Sequence, residues 1–456
     1  MLKKLLITLA VLISLFTWTR STFAQTLTAN QVQARDLANE AEKVRKAGDA
    51  ARSIGLYTKV IELDSLFFVG YFGRSLAYFD TNAYDKAIPD LTMAIKLQPD
   101  VEPFYLNRGI AYSNVGDLAS ANVDLSKALF IDPNDVNAYM YRGRNLAMIG
   151  NYNAAKEDLD KAVALAPDYP GGYFERGRMY AAAKRHADAL AEFTKVIQLD
   201  PKSALAYGFR GDALQELERG EDAIADYTSA IALEPKNIRA RLGRATVNAE
   251  LGHYGKAKKD LAIVEELEPQ NLGLLITWSY IYFTLEDSTN LAIYSRKSIA
   301  SDPKDAMAHN NLAYALLITG DTKGAEKEIE SALKLEPDHT LALNNRALLN
   351  IRLKKYDLAL ADLERVIQLD PRLAYAYFNR GTVFLEKGET ERAIADLTKA
   401  IELSPVLRAA YEARAKAYTK VKQLKLAAAD KARSDLLLKK LNEGREDLLK
   451  TDGLEG

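Results

Sequence analysis

Small and apolar residues recur along this chain at spacings of four and three. One such run begins at Tyr105 and places Gly109 and Tyr112 on the same helix face. A Gly-Asp pair then breaks the pattern, and a second run from Ala121 to Ala128 has the same spacings. The pattern therefore predicts two helices joined by a tight turn.

Prolines return at a fixed interval of 34 residues and mark the end of each helix pair. Ten of the 13 prolines share this frame, and Ser65 occupies the place of an earlier one. Because the residue before a proline disfavours helical geometry, each proline ends the second helix of its pair. A constant period of this size indicates a repeat array, here about twelve repeats over residues 34–441. The prolines are Pro99, Pro133, Pro167, Pro201, Pro235, Pro269, Pro303, Pro337, Pro371 and Pro405.

Small residues occupy the same place in successive repeats, where two helices must approach closely. In the first helix they are Gly109, Gly143, Gly177, Gly211 and Gly381. In the second helix they are Ala87, Ala121, Ala155, Ala189, Ala223, Ala257, Ala325, Ala359 and Ala393.

The period and its residues resemble the tetratricopeptide repeat, and AYFNRGTVFLEKGETERAIADLTKAIELSP (residues 376–405) comes close to that repeat's usual wording. The resemblance implies an all-α fold, an α-solenoid of 34-residue helix-turn-helix repeats. It also implies a right-handed superhelix whose first helices line the concave side. The first repeat (34–67) and the last (408–441) lack the proline and are more polar, as end caps of a solenoid need to be.

Arginine and an acid are matched within most repeats. We number the 34 positions of each repeat so that Glu102 is position 1 of its repeat. Nine repeats then have arginine at position 7 and an acid at position 23, and these two positions lie at equal height on the two helices of a hairpin. We predict a file of ion pairs that holds the scaffold together, in preference to an anion-binding track, since a paired arginine has little charge to offer a ligand. The pairs are Arg74–Asp90, Arg108–Asp124, Arg142–Asp158, Arg176–Glu192, Arg210–Asp226, Arg244–Asp260, Arg346–Asp362, Arg380–Asp396 and Arg414–Asp430.

Two repeats depart from this rule. One has Trp278 with Tyr294 in place of the ion pair, and the next has Leu312 with Glu328. The first of these repeats, 272–305, is the least regular and is rich in aromatic residues. Aromatic residues are enriched at the centres of interfaces, so Trp278 and Tyr280 are candidate partner-binding residues. A local change of pitch caused by bulkier packing explains them equally well.

Asparagines cluster at two positions that the resemblance places on the concave side. An amide both donates and accepts, so it can pair with a bound peptide backbone of any sequence. The file resembles one in the repeat region of O-linked N-acetylglucosamine transferases, which holds extended peptides. The bland alternative is that asparagine is merely tolerated at these positions. The candidates are Asn310, Asn311, Asn344, Asn345 and Asn379.

A second candidate surface is an apolar strip at position 5 of four early repeats, and it could contact a partner helix. Burial between hairpins is the favoured interpretation of this strip. It consists of Phe72, Leu106, Met140 and Phe174.

Charge and composition exclude several functions. The 456 residues carry 61 Lys+Arg against 62 Asp+Glu, a formal net charge of −1, and such a chain has no overall field to attract nucleic acid. It has no cysteine, and its four histidines form no metal-binding motif. No catalytic motif is present, and the repeats take up nearly all of the chain. We therefore expect no enzyme activity, no cofactor and no metal.

The N-terminus has the layout of a secretory signal peptide. Lys3 and Lys4 precede an apolar run from Leu5 to Trp18, and Ala24 is the expected cleavage site. The alternative is an uncleaved anchor, but the run is short for a bilayer, which needs about 20 residues. We predict a signal peptide (1–24), a linker (25–33), the repeat array (34–441) and a polar C-terminal tail (442–456). The mature chain would be periplasmic or secreted, without membrane insertion.

The expected function is that of a non-catalytic scaffold that binds a peptide segment or a protein partner on the concave face. A chaperone-like or regulatory subunit of an envelope assembly or enzyme complex is the alternative. The sequence leaves open the partner and the oligomeric state.

Overall fold

The computed structural model describes residues 27–450, and within that range it contains 24 α-helices and no β-strand. The helices form two compact units, one up to Ala213 and one from Leu214 onward, with the boundary inside one helix. The predicted signal peptide, 1–24, lies outside the described residues. The all-α solenoid of twelve helical hairpins is confirmed.

Unit 1 contains five hairpins and most of the helix at the boundary. Its helices are α1 (Ala29–Lys46), α2 (Ala50–Leu63), α3 (Phe68–Asp80), α4 (Tyr84–Leu97), α5 (Glu102–Val115), α6 (Leu118–Ile131), α7 (Val136–Met148), α8 (Tyr152–Leu165), α9 (Pro170–Ala182), α10 (His186–Leu199) and α11 (Ala204–Glu216).

Unit 2 begins near the end of α11 and contains the remaining thirteen helices. They are α12 (Gly220–Leu233), α13 (Ile238–Glu250), α14 (Tyr254–Leu267), α15 (Leu272–Thr284), α16 (Ser288–Ser301), α17 (Ala306–Thr319), α18 (Thr322–Leu335), α19 (Thr340–Arg352), α20 (Tyr356–Leu369), α21 (Ala374–Glu386), α22 (Thr390–Leu403), α23 (Arg408–Lys420) and α24 (Leu424–Leu449).

Each turn within a hairpin has one residue in the left-handed backbone region, always at position 15. Glycine adopts this region without strain, as Gly116 does at φ 88°, whereas the equivalent Glu286 adopts it at φ 52° despite its side chain. This residue ends the first helix in every repeat and so fixes the length of the turn. The others are Gly48, Asn82, Gly150, Lys184, Glu218, Gly252, Gly320, Lys354, Gly388 and Lys422.

The frame prolines end the second helices as predicted. Helix α6 ends at Ile131, and Asp132, which precedes Pro133, is extended at φ −121° and ψ 96°. The proline ring excludes the helical conformation at this residue, so the chain turns into the next repeat at the same place each time.

Close packing inside each hairpin explains the small residues. All nine predicted alanines of the second helices are fully buried. A Cβ added to Gly109 would lie 2.8 Å from Leu125 Cγ and 3.2 Å from the carbonyl oxygen of Ala121. The predicted close approach of the two helices is therefore confirmed at this position.

The two ends of the array differ from the expected boundaries. Helix α1 begins at Ala29, inside the predicted linker, because Thr28 and Gln31 form a capping box. Helix α24 has 26 residues, against 14 in α22, and continues through the predicted polar tail to Leu449. Its extension packs against other helices of unit 2, as described below.

Candidate partner-binding surface

The arginines at position 7 form ion pairs with the acids at position 23, often through two hydrogen bonds to the same carboxylate. Arg142 is typical: its Nε and Nη2 each lie 2.7 Å from a carboxylate oxygen of Asp158. The hydrogen bonds to Asp158 raise the pKa of Arg142 above its ordinary value, so this arginine stays charged. Eight of the nine predicted pairs are confirmed: Arg74–Asp90, Arg108–Asp124, Arg142–Asp158, Arg176–Glu192, Arg244–Asp260, Arg346–Asp362, Arg380–Asp396 and Arg414–Asp430.

The same arginines also bond to the preceding repeat, which the sequence analysis missed. Arg142 Nη1 donates to Ser126 Oγ at 3.0 Å, and Arg108 Nη1 donates to Thr92 Oγ1 at 3.0 Å. One guanidinium therefore joins three helices from two repeats. The signal in the sequence was a serine or threonine 16 residues before the arginine. The positive charge of these arginines is therefore balanced within the scaffold by the position-23 acids.

The two irregular repeats replace the ion pair in different ways. Trp278 packs on Tyr294 with ring centroids 5.6 Å apart, so the predicted aromatic pair is confirmed, and Tyr282 stacks on Trp278 at 5.3 Å. In the next repeat, His309 Nδ1 lies 2.6 Å from Glu328, so a position-4 side chain replaces the arginine. Burial, with help from Asp287 and Glu265, raises the pKa of Tyr282 to about 12.

The candidate asparagines join neighbouring first helices to each other. Asn345 Nδ2 donates to Asn310 Oδ1 at 2.8 Å, and Asn379 Nδ2 donates to Asn344 Oδ1 at 2.9 Å. All four side chains are buried, at 4–6% exposure. Only Asn311 is partly accessible. The structure thus brings the file together, but most of its amides face one another.

The two aromatic candidates lie in different environments. Trp278 is buried at 5% exposure, whereas Tyr280 is 42% exposed on the other side of α15. Ile276, one turn earlier, is 54% exposed, and Met307 at the start of α17 is 44% exposed. We call Ile276, Tyr280, Met307 and Asn311 the apolar patch.

Repeat geometry places the members of the apolar patch at matching positions of two adjacent repeats. Thr246 Oγ1 and Thr277 Oγ1, 31 residues apart on the first helices of the preceding pair of repeats, lie 3.1 Å from each other. Tyr280 and Asn311 occupy the same two positions one repeat later, and Ile276 and Met307 have the same sequence separation. The apolar patch therefore consists of exposed residues on the first helices of two adjacent repeats.

Next to the apolar patch, side chains of several first helices of unit 2 pack against one another. The Phe283 ring lies 5.3 Å from Tyr314, in the next repeat, and 6.3 Å from Tyr375, three repeats further along the chain. Glu286 Oε2 and Arg408 Nη2 form an ion pair at 3.1 Å. Burial, with contributions from Tyr314 and Glu286, raises the pKa of Tyr375 to about 12. A ligand at the apolar patch would adjoin this cluster.

In unit 1 the apolar strip is largely core. Leu106 and Met140 are buried at 2% and 8% exposure, and Phe72 packs on Phe104 with centroids 4.8 Å apart. The favoured interpretation, packing between hairpins, is confirmed for these residues.

A charged cluster on the first helices of unit 1 was not found from the sequence. Arg178 Nη1 lies 3.1 Å from Glu175, and the Arg144 guanidinium lies 5.0 Å from the Tyr141 ring centroid. Arg144 Nε is buried and has no hydrogen-bond partner. Burial raises the pKa of Glu175 in spite of the two arginines. Arg144 therefore interacts with Glu175 and Tyr141 inside the scaffold. No motif in the sequence distinguishes it from the other arginines of the first helices.

Residues 27–450 contain neither a metal-binding cluster nor a helix suited to a membrane. No group of three or more histidine, aspartate or glutamate side chains there could hold a metal ion. Among the helices of the same range, none combines the length and the hydropathy that crossing a membrane requires.

Comparison with known proteins identifies the repeats. Family models described as tetratricopeptide repeat match residues 143–204, 210–266, 294–327 and 346–417, and no enzyme family is indicated. No curated protein gives a match.

Several solved structures of helical repeat proteins are similar to this chain. The crystal structure of the APC/C hetero-tetramer Cut9–Hcn1 has a TM-score of 0.51 at 16% identity, over 89% of this chain and 87% of that one. A tetratricopeptide repeat protein from Parabacteroides merdae has a TM-score of 0.47 at 15% identity, over 54% and 98%. YrrB, a tetratricopeptide repeat protein with an unusual peptide-binding site, has a TM-score of 0.33 at 23% identity, over 40% and 95%.

Proposed function

We propose that this chain, which carries tetratricopeptide repeats in an all-α fold typical of protein-interaction scaffolds, is an exported, non-catalytic scaffold. Its partner is a protein or a peptide segment, held in the cell envelope or outside the cell. The scaffold contributes binding and positioning, and the ion pairs described above keep its repeats in register.

The observation that carries the proposal is the apolar patch. Ile276, Tyr280 and Met307 are 42–54% exposed on the first helices of adjacent repeats. Exposed apolar side chains at matching positions of adjacent repeats, with an aromatic ring among them, are typical of the centre of a protein interface. Asn311 lies on the same helix as Met307. Its Oδ1 accepts from Asn310 Nδ2 at 3.3 Å, and its amide nitrogen offers donors to a peptide backbone.

The other candidate residues support this surface from beneath. Asn345 and Asn310 hold adjacent first helices together, and Trp278 is buried on the opposite side of the helix that presents Tyr280. We therefore assign direct partner contact to Tyr280 and Asn311 and a positioning role to Asn310, Asn345 and Trp278.

A crosslinking experiment tests the apolar patch. A photoreactive amino acid at position 276 should give one stoichiometric crosslinked species in native envelopes. With that amino acid kept at position 276, Tyr280→Ser with Met307→Ser should lower its yield at least tenfold. Ile293, 43% exposed on the second helix of the same repeat, provides the matched control as Ile293→Ser. An equal loss of crosslinking in the control would indicate non-specific hydrophobic binding. Crosslinks to many unrelated unfolded proteins would indicate chaperone activity. Either result would overturn the scaffold proposal.

Export is tested separately, because it rests on the sequence of residues 1–24. Cell fractionation should place the protein outside the cytoplasm, with a mature N-terminus at Gln25. Cytoplasmic protein that still carries residues 1–24 would contradict the proposal.

A further inference from the structure

The C-terminal part of α24 returns to the beginning of unit 2. We call residues Leu441–Lys450 the C-terminal segment. Its Asp447 Oδ2 accepts from the Gly255 backbone N–H at 2.7 Å, and its Leu448 carbonyl oxygen lies 3.3 Å from Lys258 Nζ. Arg445 Nε donates to the Leu285 carbonyl oxygen at 2.8 Å. About 160 to 190 residues of chain separate these partners.

One face of the C-terminal segment is apolar and small, and it is the face that packs. Leu441 and Leu448, two helical turns apart, contact the core cluster around Tyr254 and Leu285. Gly444 lies between them, and a Cβ there would be 2.8 Å from the Tyr254 ring and 3.0 Å from Leu285 Cδ2. The outward positions Asn442, Glu443, Glu446 and Leu449 are exposed. The segment is therefore an amphipathic helix seated in a fitted site.

The charges of the segment match two helix ends. Asp447 meets the first turn of α14, whose own N-cap residue, His253, makes no side-chain cap bond. Arg445 meets the carbonyl of Leu285, the C-cap of α15. A carboxylate is favourable at a helix N-terminus and a cation at a C-terminus, so both pairings follow the helix dipoles.

We propose that the surface formed by Tyr254, Gly255, Lys258 and Leu285 is a helix-binding site, which this chain's own C-terminal segment occupies. The site accepts a partner's amphipathic helix in its place. That helix has two apolar residues seven apart, a glycine between them, and an arginine and an aspartate placed for the two helix ends. This inference rests on contacts of the C-terminal segment alone and does not depend on the apolar patch.

The place of the segment in the chain allows access by a partner. The C-terminal segment is the last turns of a continuous helix, so it can fray from its end without unfolding the repeat before it. Because the segment is tethered, it competes with a free helix at a local concentration of about millimolar.

The test uses the full chain with its segment displaced. Gly444→Leu drives a side chain into the Tyr254 ring, and Asn442→Leu adds the same side chain on the exposed face of the same helix. The probe is a fluorescent peptide of residues 435–450, crosslinked between positions 442 and 446 to hold it helical. We expect the probe to bind the Gly444→Leu chain at least tenfold more tightly than the wild-type or Asn442→Leu chain. Alanine at probe positions 445 and 447 should weaken binding at least tenfold.

Hydrogen exchange of the fragment around Gly255 shows whether the site has been vacated and refilled. Gly444→Leu should accelerate exchange there at least tenfold, and saturating probe should restore protection. Arg445→Ala with Asp447→Ala in the full chain provides a second way to release the segment. The proposal is overturned if neither variant changes exchange, if probe fails to restore protection at a vacated site, or if all chains bind probe equally.

Discussion

Asp447 caps a helix that begins almost two hundred residues earlier in the chain: its Oδ2 lies 2.7 Å from the backbone nitrogen of Gly255. The first amides of a helix have no partner within the helix. In five of the twelve described hairpins the residue before the second helix supplies one, as Asp117 does for Ser120. For α14, Asp447 of α24 is the acceptor. A contact between residues far apart in the chain therefore helps to hold unit 2 together, and the sequence around α14 does not reveal it.

Removal of this distant cap should weaken unit 2. Asp447→Ala leaves the Gly255 amide without its acceptor, and we expect the free energy of unfolding to fall by about 1 kcal/mol, as for other helix caps. Urea denaturation followed by circular dichroism measures it. Glu443→Ala, exposed on the same helix, should change stability by less than about 0.5 kcal/mol. Equal effects of the two substitutions would contradict a capping role.

Breaking one ion pair of the scaffold should cost more than removing a surface pair. Arg142→Ala leaves the buried Asp158 carboxylate, 6% exposed, without its bidentate partner. We expect a loss of about 2–3 kcal/mol in the free energy of unfolding, less than for a fully buried pair because the arginine is partly exposed. Arg142→Lys should recover only part of it, since an ammonium cannot make the paired bonds.

The control for this prediction is a solvent-exposed pair in the same unit. Arg185 and Asp188, whose side chains are 53% and 46% exposed, form such a pair. Arg185→Ala should lower stability by less than about 0.5 kcal/mol. If both arginines proved equally dispensable, the file of pairs would not hold the repeats together.

Two glycines with the same helical backbone should respond oppositely to alanine. Gly109→Ala places a Cβ 2.8 Å from Leu125 Cγ, and we expect about 1–3 kcal/mol of destabilisation from overpacking. Gly208, in α11, has nothing within 4 Å of an added Cβ. Gly208→Ala should therefore be stabilising by up to about 1 kcal/mol through helix propensity. Thermal melts of both variants beside the wild type decide the prediction, and a loss of stability at Gly208 would contradict it.

Much of the fold could be predicted because the features that fix it are local and periodic. The proline at position 32, the small residue at position 8 and the acid at position 23 each repeat every 34 residues. A hairpin brings positions 7 and 23 together whatever its neighbours do. The Arg–acid pairs could therefore be identified from spacing alone.

The candidate surface was harder to predict because it depends on which side of a helix each residue faces. Tyr280 and Trp278 are two residues apart, yet one is exposed and the other buried. The asparagines were expected to face a ligand, but adjacent first helices are close enough for Asn345 to reach Asn310. The return of Arg445 to Leu285 could not be found from a periodic pattern, since it depends on the curvature accumulated over several repeats.

Stability should depend on pH through a buried acid in unit 1. Burial, and then the nearby Asp135 and Asp132, raises the pKa of Glu102 from 4.5 to about 8. Between these values the folded state keeps a proton that the unfolded chain has lost. The stabilisation is therefore full below pH 4.5 and is lost as pH rises through about 8. Allowing for the partial exposure of Glu102, we expect its titration to lower the free energy of unfolding by about 1–2 kcal/mol from pH 5 to pH 9.

Glu102→Gln should flatten this dependence of stability on pH and be more stable than the wild type at pH 9, as urea denaturation at both pH values would show. Asp100→Asn, which removes an exposed acid two residues away, controls for the loss of one charge and should keep the wild-type slope. Parallel slopes for Glu102→Gln and wild type would rule out Glu102 as the titrating group.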